Sequence, residues 1–219
     1  MTEVRYVHNR EELSSTAFRK LEALLPPIFH GSFARYRRWQ DRQAGLFGKL
    51  LVRQLLKEVL GQPELLATMT VDDHARPSLA FGGDFNISHT NGLIVAALST
   101  TQRIGIDVER HQEVDPAEFD RVFTVHEQQR IRRSKHPQAT FYQTWTRKEA
   151  AMKADGRGFY LNAADYETGE ATIAIDGNDW VLRELPLPRG YTGHLSALNV
   201  TEVRIEEVSL LEFLAWGTD

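Results

Sequence analysis

The 219-residue sequence contains no cysteine, which excludes a disulfide framework, a thiolate zinc site and a cysteine nucleophile. It has no apolar run of membrane-spanning length, and its opening MTEVRYVHNREELSS lacks the apolar centre of a signal peptide. Low-complexity segments and internal repeats are missing too. These absences predict a chain of cytoplasmic location with no membrane partner. An excess of positive charge is also lacking: 26 Lys and Arg against 30 Asp and Glu give a net charge of −4, which argues against general nucleic-acid binding.

With 42% hydrophobic and 26% charged residues, the chain can bury a full core, and its length lies between one large domain and two small ones. Helical spacing predicts helices over 11–25, from Ser32 to about Val59, over 118–122, 125–133 and 210–216. Alternation and apolar runs predict strands over 4–7, 85–89, 93–98, 104–109, 171–175, 180–185, 193–200 and 203–208. A hairpin or loop is expected around Asp72 to Pro77, and Thr124 with Glu127 fits a capping box. The class is α+β, divided near Arg103 into units 1–103 and 104–219.

One segment concentrates charge on a helical pattern: WTRKEAAMKADGRGF, residues 145–159. Phe141, Trp145 and Met152 fall near one side; Thr146, Glu149 and Lys153 share a neighbouring one. Gly156 suits the left-handed turn that ends a helix. A Glu149–Lys153 pair is most often only a surface ion pair, worth a few tenths of a kcal/mol. Elsewhere, Asp107 and Glu109 sit two apart on a strand whose Ile104, Ile106 and Val108 face the other way. Two carboxylates on one face repel unless a cation lies between them, and oxygen ligands without Cys or clustered His point to Mg²⁺. An acid-decorated edge strand is the plainer alternative. Ser88 and His89 end a strand beside a tight turn, where a hydroxyl, an imidazole and free amides can converge on an anion. A serine nucleophile is discounted because no Gly-x-Ser-x-Gly elbow surrounds Ser88.

Taken together, FNISH (85–89), GIDVE (105–109) and WTRKEAxxK (145–153) followed by Gly156-x-Gly158-Phe159 resemble, in order and spacing, the three signature motifs of the 4′-phosphopantetheinyl transferases. The likeness is to the larger Sfp-type members, which hold two similar halves in one chain. It covers Phe85 to Phe159, with a weaker upstream pattern from Trp39-Gln40-Asp41 to Gly48-Lys49-Leu50-Leu51-Val52-Arg53.

The resemblance implies a pseudo-dimer of two α+β halves, monomeric as a chain, with coenzyme A in the cleft between them. It further implies Mg²⁺ held by Asp107, Glu109 and Glu149, and Lys153 on the phosphates. Ser88 and His89 would meet the phosphate end of the nucleotide, and Arg76 would contact the coenzyme. Lys148 would be supportive, and Glu127 would be either a cap or a residue near the metal. The family's arginine three residues after the aspartate matching Asp41 is Ala44 here, with Arg42 or Arg38 as candidate substitutes. The implied reaction transfers 4′-phosphopantetheine to a serine of an apo acyl or peptidyl carrier protein, with Glu149 as base, directly or through water. A Mg²⁺-dependent nucleotide pyrophosphate hydrolase and a non-catalytic coenzyme A or carrier-binding module are the competing readings. Carriers of this kind are acidic around the modified serine, so the basic stretch from Arg35 to Arg53 is a candidate docking surface.

Overall fold

The computed structural model describes residues 1–199 and 202–216. Three strands and a fourth from the far end of the chain build the first sheet. They are β1 (Thr2–His8), β4 (Asp84–Thr90), β5 (Leu93–Ser99) and β10 (Val203–Glu207), in the order β10-β1-β5-β4. Only the β1–β10 pair is parallel, which a chain returning from residue 199 to lie beside its own first strand permits. The second sheet is fully antiparallel. It takes β6 (Ile104–Arg110), β7 (Thr172–Ile175), β8 (Asn178–Glu184) and β9 (Tyr191–Ala197) in the order β6-β9-β8-β7. A minimal hairpin, β2 (Thr70–Val71) with β3 (Pro77–Ser78), stands apart and carries the Asp72–Arg76 turn.

Among the described residues, five α-helices accompany the sheets: α1 (Ser15–Glu22), α2 (Trp39–Leu60), α3 (Val125–Arg133), α4 (Pro137–Asp155) and α5 (Leu210–Ala215). The apolar run of β5 is explained by burial on both faces. Ile94, Ala96 and Leu98 pack with Leu46, Leu50, Leu51 and Leu55 of α2, while Leu93, Val95 and Ala97 join Ile104, Ile106 and Val108 in a second core drawn from both sheets. A third core sets Ala151, Met152 and Ala154 of α4 against Ile173, Trp180 and Leu182.

Several boundaries differ from the sequence reading, each for a local reason. The first helix starts only at Ser15, because the Ser14 side chain caps it by accepting from the Ala17 amide. The chain from Ser32 makes one 3₁₀ turn to Arg35 and then runs extended before α2 begins at Trp39. The expected helix over 118–122 is a 3₁₀ turn at Pro116–Phe119. Phe141 and Trp145 do not share a core with Met152; they pack with Phe123 and Ile131 of the α3 region. The strand expected over 193–200 starts earlier, at Tyr191, and Val200 lies outside the described residues. Gly61 ends α2 in the left-handed region (φ 69°), with Gln62 N bonding back to Leu56 O, as its position after the apolar stripe predicts.

Two buried polar clusters fix α4. Thr124 and Glu127 do form the capping box, but the Glu127 carboxylate does more. It accepts the Lys148 ammonium at 2.6 Å and the Thr168 amide at 2.8 Å, and the same ammonium donates to the Ala163 carbonyl at 2.8 Å. Lys148 and Glu127 side chains are 1% and 0% exposed, so this pair ties α3, α4 and the following loop together out of water. On the opposite flank His194 lies buried against α4. Thr146 Oγ1 donates to Tyr142 O at 2.8 Å, so it accepts from His194 Nδ1 at 2.8 Å, which leaves Nε2 to accept Arg147 Nε–H at 3.3 Å. A second proton would meet that guanidinium. Burial and the Arg147 charge accordingly push the imidazole pKa down to about 3.

Two expectations follow from these clusters. Lys148→Ala leaves the Glu127 carboxylate buried and unpaired, and should destabilise the fold by about 3–5 kcal/mol in urea unfolding. A loss below about 1 kcal/mol would show that the pair does not hold α4. For His194, the folded pKa lies below the ordinary value of about 6.5, so the unfolded chain takes up a proton that the folded chain refuses. Stability should be level above that value and fall by about 1.4 kcal/mol per pH unit below it, down to the folded pKa of about 3. His194→Gln should remove one proton from this pH slope; an unchanged slope between pH 6.5 and 4 would refute the assignment.

Candidate active site

The site is assembled where three elements meet, and Gly105 allows the meeting. A Cβ at Gly105 would overlap the Ala150 carbonyl and the Ala154 amide, so α4 lies directly on β6. That close approach brings the Glu149 and Lys153 side of α4 to the face of β6 bearing Asp107 and Glu109. Strand β4 comes in along the other edge of β6, and here side chains replace a backbone ladder. Asp84 Oδ2, Asn86 Oδ1, Ser88 Oγ and Thr90 Oγ1 accept the amides of Ile104, Ile106, Val108 and Arg110, at 2.9, 3.0, 3.2 and 3.2 Å.

The ladder decides where the sequence-predicted residues stand. Ser88 Oγ, besides accepting from Val108, donates to Asp107 Oδ1 at 3.1 Å. Lys153 Nζ donates to the same Asp107 Oδ1 at 2.6 Å and to Ser88 Oγ at 3.2 Å. Asp107 is 4% exposed, and its Oδ2 is buried with no hydrogen-bond partner. Glu109 accepts from Thr90 Oγ1 at 3.0 Å; burial and the charge on Asp107 push its carboxyl up to about 7, against the pull of that hydrogen bond. Burial and Asp107 raise Glu149 as well, with Lys153 acting in the opposite sense. Asp107, Glu109, Glu149, Ser88 and Lys153 are thus one electrostatic cluster.

Arg76 is placed differently from a free ligand-binding arginine. Its guanidinium donates to the Lys153 carbonyl, to Asp84 and, at 2.9 Å, to the Ile104 carbonyl, locking α4, β4 and β6 at one end of the ladder. His89 is the next residue of β4 and points the other way, exposed in a cleft. Partial desolvation by the cleft walls and the Lys153 ammonium hold its imidazole below the ordinary value. This cleft has a volume of about 540 Å³ and is lined by residues of α2, β4, the Asp72–Arg76 turn and α4. Its size falls within the range of small-molecule pockets.

Lys49 is a residue that the sequence reading placed in the basic stretch and not in the site. It lines the cleft beside Tyr36 and Ala44, its ammonium 5.9 Å from the Phe29 ring centroid, and no ion pair to it occurs among the described residues. Burial, with a contribution from Arg35, lowers its pKa. Its signal was Gly48 before it, where Ile87 packs so closely that α2 and β4 form one wall. The two substitutes considered for Ala44 do not reach this cleft: Arg42 pairs with Glu12 at 3.5 Å, and Arg38 precedes α2 outside the lining. Glu127 is likewise away from the cluster, bonded to Lys148.

The donor set fits a hard divalent cation in kind: three carboxylates, one of them with an orphaned buried oxygen, and no sulfur. Among the described residues, no three His, Cys, Asp or Glu groups are already gathered into a metal-binding geometry. The Lys153 ammonium is the cation that Asp107 contacts.

The comparisons with known proteins agree with this chemistry. The family model described as the 4′-phosphopantetheinyl transferase superfamily matches residues 103–180, the stretch that holds Asp107, Glu109, Glu149 and Lys153. The chain is 31% identical over 165 residues to the 4′-phosphopantetheinyl transferase gsp of Aneurinibacillus migulanus, covering 74% of this chain and 68% of that protein. It is 24% identical to the 4′-phosphopantetheinyl transferase Sfp of Bacillus subtilis (strain 168), covering 68% of each. The chain therefore belongs to the 4′-phosphopantetheinyl transferase superfamily, among its Sfp-type members.

Proposed function

We propose that this protein moves the 4′-phosphopantetheine group of coenzyme A onto a serine hydroxyl of an apo acyl or peptidyl carrier protein. The observation that carries the reading is the orphaned Asp107 Oδ2 in a cluster with Glu109, Glu149 and Lys153, of which Lys153 lines the cleft between α2 and α4. In the reaction the serine oxygen bonds to the phosphorus attached to pantetheine, and the bond from that phosphorus to the bridging oxygen breaks. The leaving group is adenosine 3′,5′-bisphosphate, and the serine proton passes to a carboxylate.

Each residue has a task suited to its place. Lys153, whose ammonium already spans Asp107 and Ser88, offsets charge developing on the pyrophosphate. Glu149 takes the serine proton, directly or through a water; a cation bound to the same carboxylate lowers its proton affinity, which favours the water relay. Asp107, Glu109 and Glu149 are the residues that would hold Mg²⁺, which when bound supplies Lewis-acid polarisation of the phosphates. His89 and Lys49 face the cleft and supply cationic or hydrogen-bonding contacts to the phosphate end of the nucleotide, Lys49 standing in for the arginine missing at Ala44. Ser88 and Arg76 act through the ladder: one orients Asp107, the other holds α4.

The architecture supports a two-half arrangement working as a single chain, each half offering a four-stranded sheet and one long helix, α2 or α4. The division falls near Arg103, except that β10 and α5 return to the first sheet and its core. No helix among the described residues is long and apolar enough to cross a membrane, and we place the activity in the cytoplasm.

Asp107→Asn should lower turnover by about 10³-fold while the thermal midpoint holds or rises, because the change removes charge repulsion from a strand anchored by Ile104, Ile106 and Val108. Activity is read as the mass gain of one phosphopantetheine on an apo-carrier panel. Retained turnover would remove Asp107 from the chemistry, and coenzyme A cleavage without any carrier would favour a hydrolase instead. Lys153→Ala should cut kcat/KM by about 10²-fold or more without unfolding, in contrast to Lys148→Ala. Equal catalytic losses at equal stability would mean that the working face of α4 is misassigned.

A further inference from the structure

The reaction has two substrates, and the molecule has a second cleft beside the carboxylates. It has a volume of about 520 Å³ and shares no lining residue with the cleft that holds Lys49 and His89. Three exposed arginines, Arg10, Arg110 and Arg189, line it together with Trp39 and Tyr191. None of the three guanidiniums has an ion-pair partner among the described residues, and no carboxylate lines the cleft. In a chain of net charge −4 that is a concentrated, uncompensated positive surface. The start of α2 forms part of the same wall, with Trp39 and Gln40 lining the cleft.

The cleft is joined to the acidic cluster through one residue. Thr90 Oγ1 donates to Glu109 and accepts the Arg110 amide, and the turn after Thr90, Asn91-Gly92, forms part of the cleft wall. The Arg110 side chain leaves β6 on the face opposite Glu109, so it is the Asn91-Gly92 turn beside Thr90 that brings the cleft up to the Glu109 end of the cluster. Of the basic stretch from Arg35 to Arg53, Arg42 is paired with Glu12, Arg35 donates to the Tyr36 hydroxyl at 3.0 Å and Lys49 turns into the other cleft, which leaves Arg37 and Arg38 as its exposed guanidiniums without an ion pair among the described residues.

We infer that the acidic protein acceptor docks on the cleft of Arg10, Arg110 and Arg189, and that this surface, in place of the α2 stretch, delivers the serine to the carboxylates. The inference rests on the transferase reading, and it assigns the two openings separately: nucleotide at Lys49 and His89, carrier at the arginines. Uncompensated guanidiniums on an open cleft steer an acidic partner and fix its orientation, and the effect weakens as salt screens them.

The test reads binding without turnover. Fluorescently labelled apo acyl and apo peptidyl carriers are titrated with the protein at low and high salt, and anisotropy gives Kd. Arg10→Glu with Arg189→Glu, leaving Arg110 beside Glu109 untouched, should weaken carrier binding by about tenfold or more and flatten its salt dependence. Arg37→Glu with Arg38→Glu should leave it within about twofold. The KM for coenzyme A should stay unchanged in both, and melting curves should match wild type because all four side chains are exposed. Unchanged carrier affinity in the first variant overturns the assignment. So does a loss confined to the second variant, a raised coenzyme A KM in the first, or no measurable carrier binding by the wild type. Failure of the transferase reading itself has a different signature: carriers bind the wild type but gain no phosphopantetheine mass.

Discussion

The organisation of this protein depends on four hydrogen bonds that are not part of any sheet. Every second side chain of β4, from Asp84 to Thr90, accepts an amide from every second residue of β6, from Ile104 to Arg110. Without them the buried amides of Ile106 and Val108 would be left unsatisfied, each costing about 1–3 kcal/mol, along the edge that faces β4. Satisfying those donors with side chains fixes the register between the two sheets. It also presents Ser88 to Asp107 and Thr90 to Glu109, so the site is a by-product of the joint. At its lower end the joint is closed by Arg76, which bonds Asp84, the Ile104 carbonyl and the Lys153 carbonyl, and so includes α4 in the same network.

The second constraint is on α4, which must keep two acidic and basic side chains aimed at β6 while most of its surface is buried. Gly105 sets the distance and the two flanking clusters set the rotation. Lys148, adjacent in sequence to Glu149, points about 100° round the helix from it into a dry ion pair with Glu127. Adjacent charged residues on one helix thus divide into a structural and a chemical role by the angle of about 100° between them.

Much of this was legible in the sequence. The alternation at Ile104, Ile106 and Val108 gave the correct inward face, the Thr124–Glu127 spacing gave the capping box, and the double-sided burial of β5 showed as an unbroken apolar run. The ladder was not legible: the strand read as 85–89 left Asp84 and Thr90 outside it, Ser88 pointed to an anion, and nothing local says that the partner of these side chains is a strand 20 residues further on. The parallel pairing of β10 with β1 lies about 200 residues apart and leaves no periodic trace. Arg76 was tied to the coenzyme through the family resemblance alone; it lines the cleft, and its three internal acceptors, which come from elements distant in sequence, left no local trace. Lys49 was hidden for the opposite reason, lost among neighbouring charges on α2 until the fold separated the ones facing solvent from the one facing the cleft.

Why the joint uses side chains at all follows from what a backbone ladder would do. Paired strands sit about 4.8 Å apart, and pairing β4 with β6 would merge the two sheets into one continuous eight-stranded surface. Alternate β4 residues would then project to opposite faces as in any sheet, with no reason for Ser88 to meet Asp107. Spacing the strands by the length of an Asp, Asn, Ser or Thr side chain keeps two separate sheets, allows them to share the core of Val95, Ile106 and Leu195, and leaves a wedge between α2 and α4. Short polar side chains are the ones that can do this, since a longer one would not hold the register and an apolar one would leave the amides unmet. The cleft, the buried acid and its hydroxyl partner therefore come from a single choice at four positions of β4.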